Sequence, residues 1–170
     1  STLFDVSPRM QKILHDFAED PAHQKQFSKE VLLLKQAETL RTDWGIKQAV
    51  IRLGLDQAPP EFHQTLKEYW IKHFFSNPYL HHDIPYEGAV EFVQKLWNLG
   101  VEIAYLTGRD VKRMGVGSEE VLLKWKFPLD GNQARLVLKP ERVMDDAKFK
   151  SDWFAELPVN HYSLIWFFEN

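Results

Sequence analysis

Apolar and polar positions follow two different periods along this chain, and the change falls near residue 84. Before it, apolar residues recur at helical spacings. Met10, Ile13, Leu14 and Phe17 predict a first helix, entered at Ser7-Pro8, where proline suits the first turn. A second is predicted from Ser28, with Glu30 near its start, to about Leu40. Trp44, Ala49, Val50 and Leu53 predict a short third, stopped at Gly54. Pro59-Pro60 opens the clearest helix, in which Phe62, Leu66, Tyr69, Trp70 and His73 form a stripe at spacings of three and four. Asn77-Pro78 ends it. Strand signal is almost absent from this half, so it reads as a helical lobe.

From Ile84 short β-branched runs alternate with helical patterns. Pro85-Tyr86-Glu87-Gly88 leads into a helix with Ala89, Val90, Val93, Leu96 and Trp97 on one face, stopped by Asn98-Leu99-Gly100. A strand over 101–106 follows after almost no loop, as in a parallel α/β unit. Ser118-Glu119-Glu120 predicts the cap and first turn of a helix over 121–126. Residues 135–138 form a second strand candidate and 164–168 a third. Between them Asp145-Asp146 opens a helix to about Leu157, with Phe149, Trp153 and Leu157 on one side. The pattern is that of an α/β fold with a helical insertion.

Composition narrows the possibilities. With 170 residues, 44% of them hydrophobic and 26% charged, the chain can bury one real core and a small second lobe. The net charge of -3 and scattered basic residues exclude the concentrated positive stripe that nucleic acid requires. No cysteine is present, which removes disulfides, a thiolate nucleophile and Cys-ligated zinc. No apolar run approaches the roughly 20 residues that span a bilayer, and no signal peptide is visible. A cytoplasmic protein with no nucleic-acid or membrane partner is expected. The 6 tryptophans read as core and lobe-interface filling rather than a stacking surface.

The candidate chemistry sits at strand ends. Thr107-Gly108-Arg109 follows an apolar run and offers a hydroxyl, a permissive turn and a cation where α/β sheets hold ligands. The bland alternative is a strand turning at glycine with Arg109 on the surface. Lys148 and Lys150 lie in the first turns of their helix, where a lysine can reach over a sheet edge to an anion or simply face solvent. Glu169, before Asn170, closes the third strand candidate, and a carboxylate there suits Mg²⁺. His81-His82-Asp83 reads as hinge or surface residues rather than a metal site, because spacing fixes no partner ligand. GxGxxG, Walker and GxSxG motifs are absent.

In order, these pieces are Thr-Leu-Phe-Asp, a helical insert, Leu106-Thr107-Gly108-Arg109, a lysine-bearing helix and a strand ending in acid. That order resembles the haloacid dehalogenase superfamily over nearly the whole chain, specifically its small phosphatase-like members with a helical cap. The resemblance implies a Rossmann-like three-layer core with a parallel sheet, built from residues 1–9 and 84–170, and an all-helical cap over 10–83. It implies Thr107 as the second-motif phosphate binder, with Gly108 and Arg109 beside it. Lys150 matches the third-motif lysine, with Lys148 as the alternative, and Glu169 matches the fourth-motif acid that holds Mg²⁺. The family more often has aspartate there, so glutamate displaces a metal-binding oxygen by about one methylene.

The family's first motif is Asp-x-Asp-x-Thr, and two registers are open. One makes Asp5 the nucleophile, with Ser7 in place of the acid/base aspartate and Arg9 in place of threonine. The preferred one makes Thr2 the motif's threonine, which puts both catalytic aspartates and their strand before Ser1. The implied activity is Mg²⁺-dependent hydrolysis of a small phosphorylated metabolite through an aspartyl-phosphate. On that register the 170 residues alone are expected to be inactive. Two rivals remain: a non-catalytic phosphate-binding or scaffold protein of the same fold, and a helical interaction domain that uses the Phe62-Leu66-Tyr69-Trp70 stripe. The substrate and any homo-oligomer are left open.

Overall fold

A computed structural model describes residues 2–169, and expectations that fall on Ser1 and Asn170 lie outside it. The fold is mixed α/β, with helices and two small sheets. It divides into two compact units, one of Asp5–Ile84 and one made of the residues up to Phe4 together with those from Pro85 onward. The strands β1 (Phe4–Asp5) and β2 (Ile84–Pro85) pair where the chain passes from one unit to the other.

The first unit is helical: α1 (Ser7–Glu19), α2 (Pro21–Gln26), α3 (Ser28–Leu34), α4 (Ile46–Arg52), α5 (Pro60–Phe74) and a 3₁₀ turn over Asn77–His82. The start of α1 is held by Asp5, whose Oδ1 accepts from the Ser7 N–H at 2.8 Å and the Ser7 hydroxyl at 2.6 Å. Asp20 caps α2 by accepting from the Ala22 N–H at 2.8 Å. The second predicted helix stops at Leu34 instead of about Leu40. The N–H groups of Gln36 and Ala37 bond three residues back and tighten the last turn. The Thr39 hydroxyl then donates to the Ser7 carbonyl at 2.5 Å and draws the chain back to α1.

Leu14, Phe17, Phe27, Val31, Leu34, Phe62 and Leu66 fill the core of this unit. The stripe of α5 is therefore internal, with Phe62 edge-on to Phe17 and Phe27 at 6.1 and 5.5 Å between ring centres. Burying each such side chain is worth about 1.5–3 kcal/mol. Asp83 overturns the hinge-or-surface expectation. Its carboxylate lies 3.0 Å from Arg9 Nε, with the two side chains 0% and 2% exposed. Arg9 also donates to the Phe74 carbonyl at 3.0 Å and lies 4.0 Å over the Phe74 ring. Trp44 overturns the core-filling expectation at 96% exposure.

The second unit runs α6 (Ala89–Asn98), β3 (Ile103–Asp110), α7 (Val111–Lys124), β4 (Ala134–Lys139), α8 (Asp146–Ala155) and a 3₁₀ turn over Val159–His161. β3 and β4 are parallel, in register from Ile103 opposite Ala134 to Thr107 opposite Leu138. The register then slips, so that Asp110 faces Lys139. Val93, Tyr105, Val121, Leu122, Phe127 and Ala134 pack with Phe4 as its core.

Three features differ from the sequence reading. β3 continues through Thr107-Gly108-Arg109 to Asp110 rather than ending before it. α7 begins at Val111, because the Asp110 side chain caps it by accepting from the Arg113 N–H at 3.0 Å. Gly115 and Gly117 lie inside α7, where a Cβ on Gly115 would stand 3.4 Å from Leu138 of β4. The third predicted strand is not one. Leu164, Ile165, Trp166, Phe167 and Phe168 are all exposed and belong to no sheet. No strand among the described residues lies beside them to supply ladder bonds. Among the described residues no helix is long and apolar enough to cross a membrane.

Candidate functional site

The carboxyl end of β3 and the start of α8 come together at Gly108. A Cβ on Gly108 would clash with the Asp146 carboxylate as it is placed, so a larger residue there would have to displace that side chain. Asp145 caps α8, its Oδ1 accepting from the Lys148 N–H at 2.8 Å. Lys139, the last residue of β4, holds the same helix start from below. Its ammonium donates to Asp146 Oδ1 at 2.5 Å and to the Met144 carbonyl at 2.8 Å. The Lys139 side chain is 7% exposed and that of Asp146 61%.

Around this contact the residues singled out from sequence take distinct places. The Thr107 Oγ1 accepts from the Arg109 N–H at 3.3 Å, and the Arg109 guanidinium donates to the Ser118 hydroxyl at 3.3 Å. Arg109 is thus half-buried against α7 rather than a surface residue. Lys148 is exposed and ion-paired with Asp152 at 2.7 Å along its own helix, which raises its pKa. Lys150 is more enclosed and is ion-paired with Glu169. Thr2 is exposed and makes no hydrogen bond among the described residues. The structure therefore joins Lys150 to Glu169, and Gly108 to the turn before both lysines.

Asp110, Lys139 and Asp146 were not singled out from sequence as site residues. Asp110 closes β3, is buried, and is ion-paired with Arg113 at 2.6 Å. Burial alone would push its carboxyl up, but the bonds from the Arg113 side chain and N–H outweigh it and hold the group below its ordinary range. The signal for Lys139 was present: a lysine directly after Leu136-Val137-Leu138 ends an apolar strand, as Thr107 does. Chemically, the β3 end offers a hydroxyl, a glycine and nearby cations, which are ingredients of an anion site.

Glu169 is the one predicted metal ligand, and its carboxylate is engaged by Lys150. Among the described residues no group of three or more His, Asp or Glu side chains is placed to hold a metal ion. One ion-paired carboxylate is not the oxygen set Mg²⁺ takes, so the described residues do not by themselves fit the ion.

The helical unit carries a separate open groove of about 400 Å³, lined by Ser7, Pro8, Gln11, Lys12, His15, Thr39 and His82. His15 Nε2 lies 2.9 Å from the Ala37 carbonyl, and Lys12 is ion-paired with Asp16. Elsewhere in the unit, histidine rings are taken up by tyrosines: His23 and His73 against Tyr69, His73 and His82 against Tyr79. Burial there holds His73 below its usual pKa. Compared with known proteins, the chain matches no family model, no curated protein and no solved structure.

Proposed function

We propose that the chain carries most of a phosphomonoester hydrolase of the haloacid dehalogenase type. The observation that supports this best is the meeting of Thr107-Gly108-Arg109, near the carboxyl end of β3, with the start of α8, the helix that bears Lys148 and Lys150. In this reading the Thr107 hydroxyl and the Gly108 N–H hold the phosphoryl oxygens, and Lys150 neutralises charge that builds on them. An aspartate attacks phosphorus and expels the alcohol, and water then hydrolyses the acyl phosphate. Asp5 is the alternative nucleophile, and its Oδ1 accepts from the N–H and hydroxyl of Ser7. On the preferred Thr2 register, the nucleophile and its acid/base partner are the two aspartates of the family's first motif. Mg²⁺ belongs to the proposal only together with those carboxylates. The substrate is a small phosphorylated metabolite.

The same reading completes a three-layer core. Tyr162 donates to Glu102, just before β3, at 2.8 Å, while Glu169 reaches Lys150 in α8. Residues 164–168 therefore run in the direction of β3, with Phe168 against Phe92 of α6 and Phe167 against Phe154 of α8. One further parallel strand, lying between β3 and this segment, would give both a backbone partner and cover their apolar faces.

The test is a chain extended upstream through its encoded residues, assayed on an aryl phosphate with and without Mg²⁺. The extended chain is expected to release phosphate only with Mg²⁺, and the 170 residues alone to release none. Equal, metal-independent turnover by both sinks the proposal.

A further inference from the structure

We infer that Lys139 and Asp146 are positioning residues, which seat the first turn of α8 on β3 at Gly108 so that Thr107 and the α8 lysines address one anion. This rests on the phosphatase reading and adds to it a pair that binds neither substrate nor metal. Three observations converge. Lys139 is a nearly fully buried lysine at the end of β4, and such a charge is retained only with partners. Its partners, the Met144 carbonyl and Asp146 Oδ1, both belong to the entry of α8. The carboxylate it holds fills the space a Cβ on Gly108 would occupy. The ends of both strands thus fix the same helix start, one by charge and one by the absence of a side chain.

The arrangement explains why an exposed carboxylate takes part. Asp146 is mostly in solvent, where an ion pair alone contributes little to stability. Its value is geometric: Lys139 comes from β4, Gly108 from β3, and Asp146 can meet both only when α8 is docked. Lys150 follows Asp146 by one helical turn, so tilting the first turn moves its ammonium relative to the Thr107 hydroxyl. Misplacement by about 1 Å costs on the order of a hundredfold in rate when groups must converge on one transition state.

The test uses the upstream-extended protein with Lys139→Met, Asp146→Ala, Gly108→Ala, the Gly108→Ala/Asp146→Ala double variant and Lys139→Arg. Each of the first three is expected to lower kcat on an aryl phosphate by about tenfold or more, with KM changed by less than about threefold. Gly108→Ala should cost less than about threefold once Asp146 is already alanine, because the carboxylate it strikes is gone. Lys139→Arg should restore part of kcat. Additive losses in the double variant, or a melting-temperature drop with kcat unchanged, overturn the inference. Amide exchange in the 170-residue chain gives a readout independent of catalysis. Lys139→Met and Asp146→Ala should speed exchange at 147–150 and leave α7 unchanged. If no form hydrolyses phosphate but this exchange pattern appears, the phosphatase reading fails and the seating of α8 stands. Unchanged exchange overturns the seating itself.

Discussion

The helical unit and the α/β unit each bury a core, but only the α/β unit leaves a continuous apolar run exposed. In the first, Phe17, Leu34, Phe62 and Leu66 are fully buried, and the long stripe of α5 faces inward. In the second, the apolar run Leu164, Ile165, Trp166, Phe167 and Phe168 is exposed, touching Phe92 and Phe154 with two of its rings, and β3 pairs with β4 alone among the described strands. A helix bonds its own backbone, so a helical unit needs only its stripes to meet. A parallel strand depends on neighbours for its backbone and for both faces. The contrast teaches that an exposed apolar run reports on what should lie beside it, whereas a lone exposed Trp44 reports on nothing of the kind.

The sharpest way to break this contrast is to attack the helical unit at its closed points. Arg9→Met leaves the buried Asp83 carboxylate without its cation and should cost about 3–5 kcal/mol in urea unfolding. Adding Asp83→Leu should recover most of that loss, since a buried pair replaced by apolar groups is close to neutral. Phe62→Ala should cost about 3–5 kcal/mol by opening a cavity among Phe17, Phe27 and Leu66. Losses below about 1 kcal/mol for both Arg9→Met and Phe62→Ala would mean that this core is not the closed one described.

A smaller effect is expected at the turn before α7. Asp110→Asn keeps a cap but removes the charge that faces Arg113, and should cost about 1–2 kcal/mol near neutral pH. The folded pKa of Asp110 lies below its ordinary value of about 3.9. Its ionic contribution is therefore fully present above about pH 4 and is lost as pH falls through the lower folded value. The difference between the native chain and Asp110→Asn should accordingly shrink below pH 4. A difference that is constant with pH would mean that the loss does not come from the charge of Asp110.

These residues also show what the sequence makes legible. α1, α5 and α6 stand out because Met10, Ile13, Leu14 and Phe17, and their counterparts, encode a face within a few residues of one another. α7 does not, because Gly115 serves contact with β4, and no local pattern records a neighbouring strand. For the same reason Thr107-Gly108-Arg109 is visible as a strand end, while the reason for Gly108 is not. That reason is the carboxylate of Asp146, brought there by tertiary packing. Lys139 was hidden by its type: lysines are almost always surface residues, and only its place at the end of β4 buries it.

The smallest expected effect is also the one that sharpens the contrast most. Trp166 is 63% exposed, and Trp166→Ser in the 170-residue chain removes little that is buried. Thermal or urea unfolding should move by no more than about 0.5 kcal/mol, and self-association should fall as an apolar patch is reduced. In a chain extended upstream, a strand lying between β3 and 164–168 would bury that side chain, and the same substitution should then cost about 3–5 kcal/mol. The comparison is between two chain lengths with one substitution, so the intrinsic preferences of serine and tryptophan largely cancel. Equal small costs in both would leave 164–168 a solvent-facing segment and remove the argument for a further strand. A large cost already in the shorter chain would mean that the aromatic run is packed there, and that the two units are more alike than their surfaces indicate.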